Sequence, residues 1–136
     1  MKQLKYYTKI GTKGFLLTLM LSSSLTAMDV ATYYDVDIKT FQISIEGSKK
    51  VLKLMQSGAP LQELHRVDEE TQKRLVELFA SVNSTPSKHA GFYMKHQKEV
   101  WAYYENNATL QEKYQELKEE LEATNQQIKM IREANK

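Results

Sequence analysis

A chain of 136 residues, 41% hydrophobic and 26% charged, has the size of one domain rather than two. It holds no cysteine, which excludes disulfide scaffolds, thiol chemistry, cysteine-ligated zinc or iron-sulfur centres, and a lipoprotein anchor acylated on cysteine. The formal charge is +2, but the first 27 residues carry four lysines and no acid, so the remainder sets 15 basic residues against 17 acidic ones, a net of −2 with no positive excess for nucleic acid or an anionic membrane.

The first 27 residues run from a basic stretch with Lys2, Lys5, Lys9 and Lys13, through an apolar run from Phe15 to Leu21, to a small-polar stretch closing at Ala27. That order is a secretory signal peptide. Counted to Ala27 the apolar run is about 13 residues, short of the ~20 that a helix needs to cross a bilayer. The expectation is cleavage after Ala27, export to the periplasm or beyond the cell from a bacterial source, and no stable membrane anchor afterwards. The alternative keeps the segment attached as a tether.

Residues 28 to 37 mix aromatics and aspartates without a clear period and read as an N-terminal arm, with Asp35 and Asp37 as candidate helix caps. From Ile38 the apolar residues Ile38, Phe41, Ile45, Leu52 and Met55 recur every three or four positions, one face of an amphipathic helix. A strand over 38 to 46 is the competing reading, because Phe41, Ile43 and Ile45 alternate with polar residues. Gly58 and Pro60 end the helix. After a short piece from Leu61 to His65, Asp68 reads as the cap of a second helix marked by Leu75, Leu78, Phe79 and Val82 and ending near Asn83. Thr85 and Pro86 start the next, threonine as cap and proline at the first helical position.

From Pro86 to about Glu133 there is no further proline, and ~48 helical residues would extend ~70 Å at ~1.5 Å per residue. The expected fold is therefore all-α, one domain from 28 to 136: a short helical hairpin over 38 to 83 packed on a long C-terminal helix over 86 to 133. Tyr93, His96, Val100, Tyr103, Asn107, Leu110, Tyr114, Leu117, Leu121, Thr124, Ile128 and Ile131 keep a heptad register along that helix. Asn107 falls at a buried-type position where a lone asparagine fixes register, or alternatively marks a bend. From Leu110 onward the stripe is narrow and flanked by charge, a coiled-coil-like distal half.

Two candidate sites emerge from this pattern. The seam Asn107, Leu110, Tyr114, Leu117, Leu121, Ile128 and Ile131 is a candidate interface for self-association or for docking to an envelope or secreted protein. The aromatic cluster Tyr93, Trp101, Tyr103 and Tyr104 reads as core, or alternatively as a ligand pocket or a hot spot for a partner. No catalytic, cofactor or metal residue is assigned. His89 and His96 lie about 10.5 Å apart along a helix, too far to share a metal unaided, and no phosphate loop or nucleophile elbow is present. The sequence thus points to a non-enzymatic protein acting through protein contacts, with a small ligand-binding or inhibitor domain as the alternative.

Overall fold

A computed structural model describes residues 28 to 136; the leader assigned to residues 1 to 27 lies outside the described residues. The described chain is all helical: α1 Val30–Gln56, α2 Leu61–Ser81, α3 Pro86–Lys95, α4 Gln97–Glu105 and α5 Ala108–Ala134.

Helix α1 begins earlier than the sequence pattern indicates. Asp29 caps it, its carboxylate accepting from the Thr32 N–H at 2.7 Å, and that hydrogen bond holds the Asp29 carboxyl below its usual range. The expected arm over 28 to 37 is therefore mostly the opening of this helix. Its period is obscured because Tyr34, Val36, Ile45, Gly47 and Val51 are all buried, on more than one side of the helix. A helix covered on several sides shows no single apolar stripe. The same helix runs through 38 to 46 and excludes the strand.

The turn out of α1 is built as its residues imply. Gly58 adopts a φ of 70°, the Ala59 N–H reaches back to the Leu54 carbonyl at 2.9 Å, and the Gly58 N–H reaches the Met55 carbonyl at 3.1 Å. These bonds satisfy carbonyls that the helix end would otherwise leave open. Helix α2 then starts at once, at Leu61, and Asp68 is an exposed residue within it rather than its cap. No glycine or proline interrupts 61 to 68, and Leu64 and Val67 pack against the end of α1. Asn83, at φ 54°, ends α2 in the left-handed conformation that asparagine tolerates. Thr85 accepts from the Lys88 N–H at 3.1 Å and Pro86 opens α3.

The largest departure from the sequence reading concerns the expected single helix over 86 to 133, which is three helices. The first break falls at His96, with φ −121° and ψ 27°. The second falls at Asn106 and Asn107, where side chains take over from the helical ladder. Asn107 accepts from the Leu110 N–H at 3.0 Å to cap α5, and the Gln111 amide donates to the carbonyls of Tyr104 and Glu105 at the end of α4. The bends bring Phe92, Tyr93, Val100 and Tyr104 down onto the first turns of α1.

Helix α1 is the central element, packed along both α2 and α5. Helix α2 returns antiparallel to it. Helix α5 runs parallel to α1, since Leu110 and Tyr114 sit beside Tyr34 at one end and Ile128 sits beside Val51 at the other. Each fully buried side chain of Leu or Ile size contributes about 1.5 to 3 kcal/mol, so Ile45, Leu117 and Ile128 anchor α1 and α5 far more firmly than any surface ion pair does. Gly47 faces α2 at close range: a Cβ there would stand 2.5 Å from Thr71 Oγ1.

Candidate functional site

The aromatic end of the bundle is assembled from four helices. The first turns of α1 supply Tyr33, Tyr34 and Asp37, with Tyr33 and Asp37 four residues apart and so on one face. Helix α3 contributes His89 and Tyr93, α4 contributes Val100, Trp101 and Tyr104, and α5 contributes Tyr114 from its second turn.

Asp37 is the polar centre. Its Oδ1 lies 3.2 Å from His89 Nε2, and its Oδ2 accepts a hydrogen bond from the Tyr114 hydroxyl. The Tyr34 hydroxyl donates to the Val100 carbonyl at 2.6 Å, tying α1 to α4. The His89 ring lies flat on Tyr33, with centroids 4.3 Å apart and planes at 10°, and Phe79 meets its edge. Facing a carboxylate, Nε2 is the donor of this contact. Nδ1 of the same ring is buried with no hydrogen-bond partner.

Burial pushes the Tyr33 and Tyr34 phenols up to about 12, the Asp37 charge adding to the effect. Tyr114 is raised further, first by burial and then by its hydrogen bond to Asp37. All three keep their protons at neutral pH, so Tyr114 can donate to the Asp37 carboxylate and Tyr34 to the Val100 carbonyl. Among the described residues Asp37 is therefore held at one oxygen by the His89 ring and at the other by a phenol.

Above this centre opens a cleft of about 240 Å³ whose walls are Tyr33, Tyr34, Tyr93, Trp101, Tyr104 and Tyr114, with Asp37 and Val100 completing them. Trp101 stands at its edge, 49% exposed and edge-on to Tyr104. A second cleft, about 270 Å³, lies between α1, α2 and α5 and is bordered by surface polar residues such as Asp68, Gln72, Asn125 and Arg132.

Of the aromatic cluster read from sequence, Tyr93, Trp101 and Tyr104 line the cleft, while Tyr103 stacks on Tyr34 from outside with centroids 5.4 Å apart. The opposite wall escapes the sequence reading, because Tyr33, Tyr34 and Asp37 lie in the segment taken for an arm. The available signal is the Tyr33 and Asp37 spacing. Of the seam residues, Leu110, Leu117 and Ile128 are buried within this one chain, Leu121 and Ile131 are half-buried, Asn107 is the cap of α5, and Tyr114 belongs to the cleft.

Among the described residues no group of three or more histidines or carboxylates could hold a metal ion, and no helix is long and apolar enough to cross a membrane. His96 pairs with Glu99 on the adjoining turn of α4 at 3.1 Å. Compared with family models, curated proteins and solved structures, the chain matches none.

Proposed function

We propose that this protein is an exported, non-enzymatic helical binding domain whose working surface is the aromatic cleft between α1, α3, α4 and α5. The observation that carries the reading is the Asp37 centre: a carboxylate held by Tyr114 and His89 at the wall of an open, aromatic-lined cleft. A binding pocket combines apolar walls with few, well-placed polar groups, and the cleft has that composition. Export rests on the order of charges and apolar residues in positions 1 to 27.

The coiled-coil-like stripe of α5 is assigned to packing inside the chain. Leu110 packs with Tyr34 and Val100, and Ile128 with Val51 and Val67, so these side chains already have partners. Docking through the 110 to 131 seam would have to expose them again, at a cost of about 1.5 to 3 kcal/mol each.

A screen of small organic molecules, tracked residue by residue through NMR shifts, tests the proposal. Binders should move the signals of Tyr33, Tyr104 and the Trp101 indole together. Binders that cluster instead around the exposed Leu61 or Met130, or a screen without binders, would contradict it.

A further inference from the structure

Resting on the cleft as the binding surface, we propose that its ligand is a small organic cation carrying a quaternary or fully methylated ammonium group. The cleft joins two features that each favour such a group. Its walls are the rings of five tyrosines and Trp101, and aromatic rings attract a cation through their negative faces. Among the described residues that line it, the charged one is Asp37, and the ammonium supplies the opposite sign.

The hydrogen bonding of Asp37 sets the class more narrowly. One carboxylate oxygen is engaged by His89 and the other by Tyr114. A primary ammonium is strongly hydrated and brings three N–H donors that must exchange water for acceptors, whereas this cleft offers aromatic walls and only the carboxylate lone pairs that His89 and Tyr114 leave over. A methylated ammonium brings no such requirement. It places diffuse positive charge against rings and carboxylate while its methyl groups fill apolar space. A neutral molecule of the same shape gains the apolar contacts without the attraction of the rings and the carboxylate for positive charge. The cleft, at about 240 Å³, has room for one such head group.

Calorimetry on the full chain tests this with three probes: choline, ethanolamine, and the neutral analogue of choline in which carbon replaces the quaternary nitrogen. Choline should bind saturably, with ethanolamine and the neutral analogue at least about tenfold weaker. Asp37→Asn should weaken choline about tenfold and leave the neutral analogue unchanged. Because Asp37 also joins three helices, Trp101→Leu at the exposed rim is the second variant, and it should weaken choline with the helical circular dichroism intact. Neutral analogue binding as tightly as choline would overturn the cation while leaving the cleft as a binding surface. Silence from both would overturn the cation, and the NMR screen then decides the cleft independently. Phosphatidylcholine vesicles in the same cell identify the source: competition with choline assigns the ammonium to a lipid head group, and its absence to a free solute.

Discussion

Tyr33 and Tyr34 keep their protons up to about 12, whereas an unfolded tyrosine ionises near 10.0. The folded state therefore holds these protons more tightly than the unfolded one, and the resulting stability is complete below pH 10 and lost as the pH rises through 12. Denaturant midpoints taken from about pH 9 to about pH 12 should fall steadily across the upper part of that range, and a flat profile would count against the buried phenols. Asn107 provides a second residue-scale test, because its two roles predict opposite signs. As the cap of α5, its replacement by leucine should cost about 1 kcal/mol. As a buried seam residue, the same change would raise stability. Its polarity among apolar neighbours is legible in the sequence; the carboxamide bond to Leu110 that decides its role is not.

Among the elements, the boundaries that sequence identifies are those fixed by backbone chemistry alone. Gly58 must reach a positive φ, Pro60 and Pro86 lack an N–H, and Thr85 caps α3, so these positions punctuate the chain in any context. The break at His96 carries no such mark, while the one at Asn106 and Asn107 shows in the sequence as the alternative that Asn107 marks a bend; both bring Phe92, Tyr93 and Val100 over Tyr34, a gain that only the folded chain supplies. The same reasoning explains half the cleft. Its α3 and α4 wall shows in the sequence as a dense local group of aromatics, while its α1 wall comes from residues more than fifty positions earlier. Between α1 and α2, Gly47→Ala should cost about 1 to 3 kcal/mol because the added Cβ would overlap Thr71. Helix propensity alone predicts a gain of about 1 kcal/mol, so the sign of the change in the denaturation midpoint is decisive. Adding Thr71→Ala should restore most of the loss.

At the scale of the whole molecule, α1 divides its surface between α2 and α5, and the aromatic end is closed over by α3 and α4. Three of the apolar residues that look like an interface when α5 is read alone, Leu110, Leu117 and Ile128, are buried by this arrangement, at 8%, 4% and 8% exposed. The aromatic cleft beside Trp101 stays open. Everything proposed for the cleft depends on α5 being satisfied inside a single chain. Light scattering on the chain beginning at Met28, across a concentration series, measures this directly. A helix already buried against α1 gives the mass of one chain at every concentration; a dimer or trimer that dissociates on dilution would contradict that packing and return the functional surface to residues 110 to 131.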